Sequence, residues 1–276
     1  MAITAADVNK LRQQTGAGMM DCKNALVEAN GDFETAIDIL RKKGQKVAAK
    51  RGDNETKEGF VLAQVSADNT TGIVFALSCE TDFVAKNEGY KTLVESLMKV
   101  AMDNKATSSE ELLALKYDDR LTVAEKITEQ IGVIGEKLEI NGYSLVKSDA
   151  VIGYNHPGNQ LATLVAINNN SEEAIEAGRQ VAMQVAAMNP IALNKDGVDA
   201  RTIEREIEVG KELAIQEGKP AEMADKIAQG RLAKFFKENT LLSQEFIRDN
   251  KLTVEQFLDS TAKGLTVTDF KRTSLS

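Results

Sequence analysis

The chain has 276 residues, 42% of them hydrophobic and 28% charged, a composition that supports two or more globular domains and excludes a disordered or fibrous chain. Its formal net charge of −8 repels phosphate backbones and anionic membrane surfaces, so direct nucleic-acid binding and membrane binding are disfavoured. The two cysteines, Cys22 and Cys79, stand far apart without metal-ligand spacing, which argues for a reducing compartment, the cytoplasm, and against a disulfide framework or a metal site.

Nothing at the amino terminus reads as an export signal: Met1 to Asp7 has no basic segment followed by an apolar one, and no apolar stretch of about 18 residues occurs. Thr4 to Asp7 is a capping-box variant, and Val8, Leu11 and Thr15 follow at helical spacing until the Gly16-Ala17-Gly18 break. Cys22, Ala25, Leu26 and Ala29 mark a second helix. Asn30-Gly31-Asp32 ends it and caps a third that carries Phe33, Ala36, Ile37 and Leu40. Three short helices make a module with a modest core, suited to presenting a surface. The basic run from Arg41 to Arg51 reads as a solvated helix tail, and residues 44 to 58 as a polar linker.

From Gly59 the period changes. Phe60 to Val65 and Ile73 to Cys79 are β-rich runs around a hairpin turn, Asp68 to Gly72. Helical spacing returns after Phe83 with Leu93, Leu97, Val100 and Ala101, and again over Val123 to Gly135. Three strands are predicted at Glu139 to Val146, Val151 to Tyr154 and Leu161 to Asn168, then a helix over Glu172 to Met188. Helices and antiparallel strands are segregated, which favours α+β over a doubly wound sheet. Ala200 to Asn239 reads as a charged helical hairpin around Gly218-Lys219-Pro220, with Ile203, Ile207, Gly210 and Ala214 facing Met223, Ile227 and Phe235. It is an arm for a partner or for a second copy of the chain, which would make a homodimer, or else two ordinary surface helices. A short helix at Val254 to Ser260 and a strand from Leu265 to Phe270 return to the core sheet.

Chemistry is scarce. His156 is the one histidine and lies in a turn, so no nucleophile has a choice of base; no phosphate-binding glycine loop occurs; the carboxylate pairs Glu110-Glu111 and Asp118-Asp119 read as solvated charge. The expectation is a protein with no cofactor, no metal and no catalytic residue. Two places stand out. Met19-Met20 follows a glycine break, where polarisable side chains form either a contact patch or core filling. Glu80 to Val84 lies at a strand-to-helix junction, where residue type alone makes Asp82 an N-cap and Phe83 a core residue.

Those two segments, Leu11 to Lys23 (LRQQTGAGMMDCK) and Cys79 to Asn87 (CETDFVAKN), resemble the hallmark segments of the bacterial elongation factor Ts family. Asn30-Gly31-Asp32, Ala182 to Ala187 and Gly218-Lys219-Pro220 stand in the same order, so the resemblance covers nearly the whole chain. It reverses the reading of Asp82 and Phe83. The resemblance implies a guanine-nucleotide exchange factor for the GTPase elongation factor Tu, not an enzyme. It divides the chain into a ubiquitin-associated-like three-helix module (residues 1–50), an α+β core of two subdomains (51–148, then 149–199 with 240–276) and a coiled-coil arm (200–239). It also implies that Thr81, Asp82, Phe83 and Val84 wedge beside the partner's nucleotide and dislodge magnesium. Arg12, Met19, Met20 and His156 are implied partner contacts. Asp82 acts there either as a hydrogen-bond acceptor or by repelling phosphate charge. The sequence departs from the family at Pro157, after His156. It also shows no helix following the closing strand, so the grip that some members make with such a helix is expected to be absent or replaced. Thr268-Asp269-Phe270 repeats the hallmark triplet but alternates as a strand. The competing reading is an adaptor whose helical module binds a helix or ubiquitin-like protein; an enzyme using the acidic helices is the third.

Overall fold

A computed structural model describes residues 3–275. Thr4 and Asp7 exchange side-chain-to-backbone hydrogen bonds ahead of α1 (Ala5–Thr15), and Gly16, at φ 71°, ends that helix in the left-handed conformation. α2 (Met19–Glu28) starts after Gly18. Asp32 then caps α3 (Phe33–Lys50), accepting from the Thr35 N–H at 2.8 Å. Leu11, Cys22, Leu26, Ala36 and Ile37 close a small core between the three helices.

Residues 44 to 50 do not belong to the expected linker, which is confined to the irregular residues 51 to 57: α3 continues to Lys50. The cause is tertiary. Gly44 sits against Gly132 of α7 (Val123–Ile134), where a Cβ on Gly132 would lie 2.7 Å from the Gly44 Cα. Facing glycines bring the two backbones into contact, and Val47 and Ala48 then pack on the neighbouring core. A stretch that reads as polar therefore has one buried face.

β1 (Glu58–Val65) and β2 (Thr71–Cys79) form the expected hairpin, and β3 (Glu139–Lys147) pairs with the other side of β2. A second sheet has the order β4 (Ala150–Asn155), β5 (Leu161–Ile167), β8 (Val267–Ser274), with every pair antiparallel. Alternation along β2 organises the layers: Ile73, Phe75, Leu77 and Cys79 join the core with α5 (Glu88–Asn104) and α7, whereas Val74 and Ala76 meet Val151, Ala162 and Leu164 of the second sheet. Gly72 lets the sheets approach, since a Cβ there would lie 2.7 Å from Val151 Cγ1. On the far side Ile152, Val165 and Ile167 pack against α8 (Glu172–Met188) and α11 (Val254–Thr261). Helix, sheet, sheet and helix stack as four layers, an α+β fold.

The two sheets are also tied edge to edge. Asn155 accepts from the Ala63 N–H at 2.8 Å and donates to its carbonyl at 3.0 Å, and the Val61 N–H donates to the Asn159 carbonyl. This occupies backbone groups that an edge strand would otherwise offer to another chain. Gln184 of α8 is fully buried and satisfied three ways: it donates to Gln244 Oε1 and the Glu245 carbonyl and accepts from the Ile247 N–H. It thereby holds the hairpin of β6 (Glu245–Phe246) and β7 (Asp249–Thr253) to the core. The Ala182 to Ala187 motif thus has a structural role.

The hairpin arm is α9 (Ala200–Gln216) and α10 (Ala221–Asn239), joined through Gly218 at φ 76°. On α9 the seam holds Gly210 and Ala214 as expected, but on α10 it differs. Gly210, Ala214, Ala224, Ala228 and Leu232 are buried, while Met223 is 50% exposed. Small side chains allow a close crossing, since a Cβ on Gly210 would lie 3.2 Å from the Ala228 Cα, and a methionine in that seam would hold the helices apart. Lys211–Asp225 and Arg231–Glu217 ion pairs bridge the two helices. No helix among the described residues is long and apolar enough to cross a membrane.

Candidate functional site

β2 is buried along its whole length and ends at Cys79, so the next residues emerge from the core at a fixed point. There the chain turns into α4 (Asp82–Ala85), a four-residue helix. The N-cap is Thr81, not Asp82 as residue type suggested: Thr81 is extended, and its hydroxyl accepts from the Val84 N–H at 3.4 Å. Asp82 is the first helical residue and pairs instead with Lys86 at 2.6 Å. That hydrogen bond holds the Asp82 carboxyl below its ordinary value. Val84 and Ala85 pack inward on the core.

Phe83 points the other way. It is 83% exposed, more than any other large hydrophobic residue described. The reading of Phe83 as core is therefore overturned. An aromatic ring held in water forfeits the stabilisation that burial would give it, on the order of 2 kcal/mol or more.

The turn beneath the ring is fixed from behind. Glu136 Oε2 accepts from the Glu80 and Thr81 N–H groups at 3.1 and 3.0 Å, and Oε1 accepts from the Thr81 hydroxyl at 2.7 Å. Glu80 in turn accepts from the Lys137 N–H at 2.6 Å and from Arg51 and Asn54, each at 2.8 Å. Cys79 Sγ contributes a bond to the Thr81 carbonyl, and its burial pushes the thiol up to about 11. Tyr90 donates to the Leu77 carbonyl from a buried position, where desolvation also raises its pKa.

Burial of Glu80 works to raise its pKa, but the bonds from Lys137, Asn54 and Arg51 outweigh it and keep the carboxyl below the ordinary value. A carboxylate depressed in the folded state contributes stability above its unfolded value of about 4.3, and that contribution is lost as pH falls through the folded value. Thermal melts of the wild type should therefore lose stability more steeply below about pH 4.5 than those of Glu80→Gln, so that the gap between them narrows with acid. Parallel curves would show that Glu80 gains nothing from its partners.

The other sequence-derived residues lie on separate elements. Arg12 is exposed in the last turn of α1, and Met19 and Met20 open α2 at 54% and 64% exposure, so the methionines after the glycine break face water and do not fill the core. His156 is exposed in the β4–β5 turn, its Nδ1 3.0 Å from the Tyr154 hydroxyl. That turn reaches the outer edge of β1 at Val61, on the strand whose Glu58 pairs with Cys79. No group of three or more metal-ligating side chains is assembled among the described residues.

The sequence profile of the family described as Elongation factor TS matches residues 80–276, beginning at the first residue of this turn. The chain is 54% identical to Elongation factor Ts of Cytophaga hutchinsonii over 275 residues, 99% of each chain. It is 52% identical to that of Porphyromonas gingivalis over 278 residues, covering 100% of this chain and 99% of the relative, and 52% identical to that of Amoebophilus asiaticus over 273 residues, 99% and 98%. The chain belongs to the elongation factor Ts family. Membership makes it a translation elongation factor.

Within this elongation factor Ts fold, Glu136 and Asn54 carry no sequence signal, and Arg51, read as the end of a solvated basic run, instead binds Glu80. Glu136 follows the αL residue Gly135 that ends α7, and Arg51 follows α3, each far in sequence from the turn it supports.

Proposed function

We propose that the chain is a guanine-nucleotide exchange factor that binds elongation factor Tu in its GDP form, displaces magnesium and GDP, and allows GTP to reload. The observation that carries this reading is Phe83: a large ring, 83% exposed, mounted on a turn clamped by Glu136 and Glu80. A ring held in water on a clamped turn is presented ready-placed to a partner, without the cost of ordering it on binding. Thr81, Asp82, Phe83 and Val84 form the element that enters beside the partner's nucleotide. The exposed Arg12, Met19 and Met20 hold the partner's nucleotide-binding domain, and His156 makes a further contact.

No covalent step is required. Magnesium demands near-ideal octahedral geometry, so a ring that shifts the elements around it loosens the ion and the phosphates it bridges. A release accelerated 10⁴-fold needs about 5.5 kcal/mol off the dissociation barrier. Linkage makes the effect reciprocal: nucleotide must weaken binding of the factor by the same factor by which the factor weakens nucleotide. Both cysteines are buried and free, which suits the reducing cytoplasm.

The test is stopped-flow release of a fluorescent GDP analogue from elongation factor Tu at increasing concentrations of this protein. Acceleration by orders of magnitude, saturating with concentration, is the expected result. A folded protein that leaves the release rate unchanged would sink the reading.

A further inference from the structure

We propose that Glu136 is a positioning residue for Phe83, holding the ring in its working direction through a reciprocal latch with Glu80; this rests on the reading of Phe83 as the exchange element. α4 is a single turn, too short to be stable alone, and the Phe83 ring is almost wholly in water. The direction of the ring is consequently set by the inward packing of Val84 and Ala85 together with whatever fixes Glu80 and Thr81. Each glutamate accepts a backbone N–H from the other's segment: Glu136 from Glu80 and Thr81, Glu80 from Lys137. The two junctions, strand to helix after β2 and helix to strand after α7, are thereby locked in register.

The Thr81 hydroxyl completes the device. Its proton goes to Glu136 Oε1 at 2.7 Å, which leaves a lone pair facing the Val84 N–H at 3.4 Å. Only an acceptor at Glu136 keeps the hydroxyl in that orientation, so the carboxylate reaches through Thr81 to the first turn of the helix bearing Phe83. Arg51 and Asn54, just beyond α3, hold the other side of the latch through Glu80 Oε2. An amide at position 136 keeps an oxygen for the two N–H groups; alanine keeps nothing.

The experiment measures GDP release from elongation factor Tu against factor concentration for the wild type, Glu136→Ala, Glu136→Gln, Phe83→Ala and the Glu136→Ala/Phe83→Ala double variant. For Glu136→Ala the maximal rate should fall about 10-fold with KM for the partner changed less than about 2-fold, Glu136→Gln should recover to within about 3-fold of wild type, and the double variant should be no slower than Phe83→Ala alone. A loss confined to KM, or losses that add in the double variant, would overturn the proposal. Fluorine NMR of 4-fluorophenylalanine at position 83 provides a second readout that needs no partner. Glu136→Ala should move that resonance toward its position in the unfolded chain, and an unchanged spectrum would overturn the latch. If the wild type fails to accelerate release, the exchange reading falls, and the fluorine spectrum still decides whether Glu136 orders residue 83.

Discussion

Replacing Phe83 with alanine should slow the maximal rate of GDP release by about 100-fold, a loss of roughly 2.7 kcal/mol in barrier lowering, while thermal stability stays within about 0.5 kcal/mol. The two effects separate because the ring makes so few contacts in the free protein. At 83% exposure it contributes almost nothing to the core, whereas Val84 and Ala85, its neighbours on α4, carry the packing. On the proposed exchange reading, the ring acts only in the complex. A stopped-flow series read beside a thermal melt checks both quantities on the same preparation. Equal losses of activity and stability would return Phe83 to the core, and full activity without the ring would remove it from the mechanism.

Gly132→Leu should destabilise the protein by about 3 kcal/mol, the upper range for overpacking, because the added side chain meets backbone and not a movable side chain. A Cβ at that position lies 2.7 Å from the Gly44 Cα and 3.2 Å from its nitrogen, so α3 and α7 must part before leucine fits. The same substitution at Gly230 of α10, where a Cβ would meet nothing within 4 Å, should be neutral or stabilising by about 0.5 kcal/mol. Urea denaturation of the two variants checks the contrast. Similar midpoints would mean that the α3–α7 crossing yields without cost. Parting these helices also strains the site, since Arg51 and Asn54 follow α3, Glu136 follows α7, and the two groups bracket Glu80 and Thr81.

Much of the fold could be read from local chemistry. The caps at Thr4 and Asp32 and the αL residues Gly16 and Gly135 announce helix ends in the chain itself, because a cap is a hydrogen bond between near neighbours. The turns at Asn30-Gly31 and Gly218 are equally legible, both at positive φ. Errors arose where the deciding contact is distant. Residues 44 to 50 read as polar linker because the partner that makes them helical is Gly132. The seam of the arm was misplaced by one position on α10, because hydrophobicity favoured Met223 while close crossing demanded Ala224.

The site divides along the same line. Residue type placed Asp82 at the cap and Phe83 in the core; the cap falls one residue earlier because Thr81 is extended and its hydroxyl accepts from the Val84 N–H, and Phe83 stays outside because the strand beneath it is buried on both faces. With no room left inside, the inward positions go to Val84 and Ala85, and the ring turns outward. The resemblance had singled out Thr81 to Val84 but said nothing of what holds them. By itself, then, the sequence determined the α+β class and most element boundaries, which follow from short-range pattern, and the family, through the resemblance of its motifs. Only the tertiary structure decided that Phe83 faces water and that Glu136, Glu80 and Arg51 meet behind it, because those contacts join residues that share no local signal and are brought together only by the packing of β2 against its helices.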